Sequence, residues 1–124
     1  MKELLMVAAG GALGSVGRWL LAETVDARLA VMWPGFPWGT LLVNVLGCFA
    51  IGVVSLWADQ PWVKHLVMCG ILGGFTTFSS FALQAAALAG SGAHAQVATY
   101  VVGSVTACLL AVWLGHLFGR LIGG

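Results

Sequence analysis

A chain of 124 residues is long enough for one compact domain, but with 60% hydrophobic and only 7% charged residues it has too few charges to solvate a globular surface. Lipid must therefore surround it. A net charge of +1 without a basic cluster excludes nucleic acid as a partner and argues against an electrostatic anchor on a lipid surface.

A bilayer core is about 30 Å thick, so a spanning helix needs roughly 20 mainly apolar residues. The sequence offers four such stretches, at about 4–22, 38–58, 63–89 and 95–118, and is read as one all-α, multi-pass membrane domain. The apolar run from Leu4 continues to Ala22 without a small-residue cleavage site, so it is expected to be a mature first span rather than a signal peptide. Within it Gly10 and Gly14 recur at four-residue spacing ahead of Arg18, a stripe that lets helix backbones approach closely. Arg18 is the charge lying well inside a predicted span. At mid-bilayer it would cost about 2.5 to 3.5 kcal/mol, and its position near the span's end assigns it a structural or vestibule role.

Glu23, Asp26 and Arg28, followed by Pro34, Gly35 and Pro37, are expected to form the first loop. The second span carries Asn44, read either as glue between helices or as a donor of amide N–H groups to an anion. Asp59-Gln60-Pro61 forms the second break and Gly90-Ser91-Gly92 the third. Trp19, Trp33, Trp38, Trp57 and Trp62 flank these breaks, where indole rings prefer the headgroup level.

The third span holds Gly73-Gly74-Phe75-Thr76-Thr77-Phe78-Ser79-Ser80-Phe81, a glycine pair followed by hydroxyl residues interleaved with aromatics. Such residues are poor helix material, and the helix is predicted to break here. Backbone groups freed by a break cannot face lipid, so they must be buried or line a cavity that holds water or ions. In the fourth span Tyr100, Ser104 and Cys108 follow at four-residue intervals on one face, Tyr100 being alternatively an interfacial anchor. Gly103, Ala107, Ala111 and Gly115 form a second small-residue stripe there. His65, His94 and His116 fall at span ends, and Cys48, Cys69 and Cys108 lie inside apolar runs in no zinc or disulfide spacing.

Glu3, Glu23, Asp26 and Asp59 all lie outside the spans or at their ends. A proton-coupled exporter needs an ionisable group inside the membrane, and enzyme chemistry needs a nucleophile with a base, paired carboxylates or a metal cluster. The sequence supplies none of these, leaving passive conduction along an uncharged polar lining. Fluoride, small and strongly hydrated, suits hydrogen-bond donors such as Asn44, Ser79, Ser80, Tyr100 and Ser104. Phe78 and Phe81 share a helix face, and their positive ring edges suit an anion. Counting Lys2, Lys64 and Arg120 on one side of the membrane against Arg18 and Arg28 on the other gives 3 − 2 = 1, which barely fixes an orientation.

Three blocks of residues resemble the Fluc (CrcB-type) fluoride channels, over essentially the whole chain: Gly10-Gly11-Ala12-Leu13-Gly14 with Arg18-Trp19, the run from Gly39 to Gly47, and the run from Gly73 to Phe81. The resemblance implies passive fluoride export that relieves fluoride toxicity across a bacterial inner membrane, by an antiparallel dual-topology homodimer with two pores. It implies a structural sodium ion held by the backbone carbonyls of Gly73 and Thr76. It maps the pore asparagine onto Asn44, the pore phenylalanines onto Phe78 and Phe81, and a polar track onto Tyr100 and Ser104. Where many members continue that track with hydroxyls, this chain has Cys108 and Val112. The alternatives are a small multidrug-type exporter, which should carry a carboxylate in the first span, and a non-transporting membrane subunit, which would need no hydroxyl cluster.

Overall fold

The computed structural model describes residues 1–123. Apolar backbone in lipid must satisfy its hydrogen bonds within each segment, and the chain does so with helices throughout. Helix α1 covers Lys2–Leu29, and α2 covers Trp38–Val54 and ends in a 3-10 turn, Ser55–Trp57. Helix α3, residues 63–75, is π-helical over Val63–Leu72 and closes with an α-helical turn, Gly73–Phe75. Helix α4 covers Phe78–Gly90 and α5 His94–Gly123. Together α3 and α4 make the third of four candidate spans, Lys2–Leu29, Trp38–Trp57, Val63–Gly90 and His94–Gly123.

The first helix runs past the predicted loop boundary and keeps Glu23, Asp26 and Arg28 helical. Its 28 residues reach about 42 Å at 1.5 Å per residue, well beyond a bilayer core. The charged final turns thus clear the hydrocarbon without unwinding. The overhang has a use: Asp26 Oδ1 accepts the Gly39 N–H at 2.7 Å, capping the start of α2, where the N-cap residue Pro37 has no polar side chain.

The helices close in two tight pairs, and glycine decides both. Gly10 and Gly14 on α1 lie against α3 so closely that a Cβ on Gly10 would stand 2.9 Å from Gly70 Cα, and one on Gly14 would overlap the Ile71 carbonyl. Gly74 faces back, where a Cβ would meet Gly11 O at 2.6 Å. Along the α2–α5 seam Gly52 lies against Val112 and His116, Gly115 against Phe49, and Gly119 against Val53. This is the close backbone approach that replaces the hydrophobic force in lipid. The stripe expected on α5 divides: Gly115 is used in this way, whereas Gly103 meets nothing within 4 Å.

Around the first loop, buried Phe36 stacks on Trp33 at 5.0 Å, leans on Trp38 at 4.5 Å and meets Tyr100 edge-on at 5.6 Å. Trp33 and Trp38 therefore pack against a core rather than standing free at the headgroups, while Trp19, Trp57 and Trp62 remain exposed. Tyr100 is 0% exposed, which removes its reading as an interfacial anchor.

Candidate functional site

The break falls inside the predicted run Gly73–Phe81, at Thr76 and Thr77. Thr76 (φ −82°, ψ 155°) and Thr77 (φ −150°, ψ 117°) are extended, whereas Gly73 and Gly74 complete the last turn of α3. Gly74 serves the contact with α1, and the β-branched threonines take the extended backbone they favour.

Asn44 holds the break open from α2. Its Nδ2 donates to Thr77 O at 3.0 Å and its Oδ1 accepts the Thr77 N–H at 2.8 Å, as a neighbouring strand would. Thr77 then caps α4, its Oγ1 accepting the Ser80 N–H at 3.2 Å, with the Ser80 and Ser79 hydroxyls 3.1 and 3.3 Å away. These contacts redirect two donors. In an unbroken helix the Thr77 N–H would bond Gly73 O and the Ser80 N–H would bond Thr76 O. Both instead go to side-chain oxygens, so the Gly73 and Thr76 carbonyls lose their helical donors.

Arg18 reaches the same break. Its Nε donates to Gly74 O at 3.2 Å, and Ser15 Oγ stands 3.5 Å from that oxygen. A guanidinium at the C-terminal end of α3 satisfies a carbonyl and meets the negative end of the helix dipole. Arg18 is thus tied to the protein interior, and only Arg28 remains to be counted for the first loop's side of the membrane.

Beside the break a cavity of about 310 Å³ lies between α2, α4 and α5, lined by Asn44, Thr77, Phe78, Phe81, Ser104 and Cys108 among others. Phe78 and Phe81 stand 5.3 Å apart with planes tilted by 43°. Their surroundings differ: Phe81 is 8% exposed and packs on Tyr100, whereas Phe78 is 77% exposed at the outer edge of the cavity. Ser104 is 4% exposed, and its Oγ is fully buried without a hydrogen-bond partner. Of the remaining predicted residues, Ser79 is exposed and Ser80 half-buried beside Thr77, and Tyr100 sits behind Phe81. Cys108 joins the lining; Val112 instead lines a separate hollow with Gly52, Ser55 and His116.

Two residues matter here that the sequence did not single out. Gln84 accepts the Tyr100 hydroxyl at 2.8 Å, fixing the ring behind Phe81. Ser55 Oγ bonds Gly52 O at 2.7 Å and meets His116 Nδ1 at 3.1 Å, tying α2 to α5 and placing His116 on a helix seam. A lone amide in the apolar run that follows Phe81 is the signal that marks Gln84 in sequence.

Residues 5–116 match the family described as CrcB-like protein, Camphor Resistance (CrcB). A fluoride-specific ion channel FluC of Opitutus terrae is 48% identical over 124 residues, covering 94% of this chain and 92% of the relative. FluC proteins of Caulobacter vibrioides, 40% identical, and Paramagnetospirillum magneticum, 42% identical, each align over 98% of both chains.

Proposed function

The chain belongs to the CrcB (FluC) family of fluoride channels, and on that premise we propose that it conducts fluoride passively and selectively across the membrane. It is a multi-pass membrane channel, not an enzyme. The observation that carries the mechanism is Ser104, which lines the cavity with Asn44, Phe78 and Phe81 and keeps a buried, unpartnered hydroxyl.

A buried hydroxyl without a partner costs about 1 to 3 kcal/mol, a cost removed when an anion accepts a hydrogen bond from it. Fluoride entering the cavity exchanges water for such donors. Asn44 spends one of its two amide N–H groups on Thr77 O, which leaves the other for the ion. Ring edges at Phe78 and Phe81 add weak positive potential without the deep trap of a fixed cation. Ser79 and Ser80 add hydroxyl donors along α4, and Tyr100, whose own proton goes to Gln84, holds Phe81 in place.

The exposed side of the break argues for a second copy. Phe78, Ser79 and Gly73 are exposed on the single chain, yet polar backbone and hydroxyls at this depth cannot face lipid. An antiparallel partner would cover both breaks about a two-fold axis. With Arg18 turned inward, the loop count is Lys2, Lys64 and Arg120 against Arg28, so the weight of this argument rests on the polar break rather than on charge bias. The Gly73 and Thr76 carbonyls, deprived of helical donors at the negative end of α3, fit a hard cation such as sodium, which would neutralise that end and hold two breaks together.

The test is efflux from liposomes holding the purified protein, with fluoride and chloride compared at equal gradients. Fluoride loss far faster than chloride loss is expected. Equal rates, or none, would return the cavity to ordinary helix packing.

A further inference from the structure

Two of the three cysteines stand at the wall of the same cavity. Cys48 from α2 and Cys108 from α5 both line it, and neither is in a disulfide. Cys69 is also free but exposed on α3, away from this cavity. In Asn44-Val45-Leu46-Gly47-Cys48 the thiol follows Asn44 by one helical turn, and Cys108 follows Ser104 by the same interval. The pair therefore lies one turn from the polar lining, at a level where Asn44 and Ser104 no longer supply donors.

The surroundings select the ligand. Among the described residues no group of three or more His, Cys, Asp or Glu side chains is placed to hold a metal, and the cavity lining contains no carboxylate or imidazole. Zinc, which wants four ligands, and calcium, which wants six or more oxygens, have no set here. A soft cation satisfied by two thiolates does. We propose that Cys48 and Cys108 form a two-thiolate site for a soft, two-coordinate cation of the silver(I) or copper(I) class, and that its occupation closes the ion path.

The closure follows from the charge balance. Binding forms two metal–sulfur bonds and releases both thiol protons, since only thiolates ligate. One monovalent cation with two thiolates leaves a net single negative charge in the cavity wall. The bound ion narrows the cavity, and the added charge repels an anion in a low-dielectric setting. The blocking half of this proposal rests on the fluoride-path reading above; the binding half does not.

Silver nitrate in chloride-free buffer is the probe. Fluoride efflux from liposomes should stop at micromolar silver and recover when a competing dithiol is added. Cys48→Ser and Cys108→Ser should each raise the half-blocking concentration at least tenfold, and Cys69→Ala should leave it unchanged. Native mass spectrometry of the detergent-solubilised Cys69→Ala protein should find one silver ion per chain, lost in either serine variant, whether or not that variant conducts. Unimpeded efflux with silver bound would overturn the blocking role alone. Block that persists in both serine variants, or absence of bound silver in Cys69→Ala, would overturn the site.

Discussion

Asn44 joins a sequence feature to a structural one most directly. A polar amide in an apolar span announces itself, but its partner Thr77 lies in another span, and nothing local shows that the amide grips a backbone. Asn44→Asp keeps the acceptor for the Thr77 N–H but sets an oxygen against Thr77 O, so melting in detergent should reveal a loss of about 1 to 3 kcal/mol. Fluoride efflux should fall with it. An Asp variant as stable and active as the parent would mean that Asn44 does not hold the break. The phenylalanines separate by burial. Phe81→Ile, at an 8% exposed position against Tyr100, should lower both stability and flux, whereas Phe78→Ile, at a position 77% exposed within its own chain, should lower flux with the smaller loss of stability. Equal stability losses in the two would contradict the assignment of Phe78 to the path. Tyr100 shows the limit of spacing: its helix face was legible, but its burial and its bond to Gln84 depend on the first loop folding back as Phe36.

Among the helices, the four spans were readable from hydropathy because lipid imposes helix on any apolar run of sufficient length. The π-helical course of Val63–Leu72 carried no comparable signal, and Glu23, Asp26 and Arg28 looked like loop because a helix may outrun the bilayer. The break falls inside the run expected on propensity, Gly73–Phe81, where close approach to α1 keeps Gly74 helical and leaves the unwinding to Thr76 and Thr77. That distinction is measurable. Gly14→Ala drives a methyl into the Ile71 carbonyl and should cost about 1 to 3 kcal/mol, seen as a lower melting temperature and less monodisperse protein on gel filtration. Gly103→Ala, with open space around it, should melt as the parent does. The reverse order would mean that α1 and α3 do not pack as described. Thr77→Val removes the cap on α4 and should cost about 1 kcal/mol, with stability recovered by Thr77→Ser.

At the scale of the molecule, the polar break exposed on one chain predicts a pair with opposed orientations. In a chain whose native cysteines have been replaced, a single cysteine at the N-terminus should be labelled from both sides of the membrane. Labelling from one side alone, in a protein that still conducts, would fix a parallel arrangement and remove the basis for proposing a cation shared between two breaks. The central claim, passive fluoride conduction, rests on a cavity lined by hydrogen-bond donors without a carboxylate. Its most direct test is fluoride efflux from liposomes clamped at equal pH on both faces, with the membrane voltage set by a potassium ionophore. Net flux should proceed without a proton gradient, reverse at the Nernst potential for fluoride and be unaltered by a protonophore. Flux that stops without a proton gradient, or reverses at a potential set by protons as well as fluoride, would contradict the channel and point to a coupled exporter.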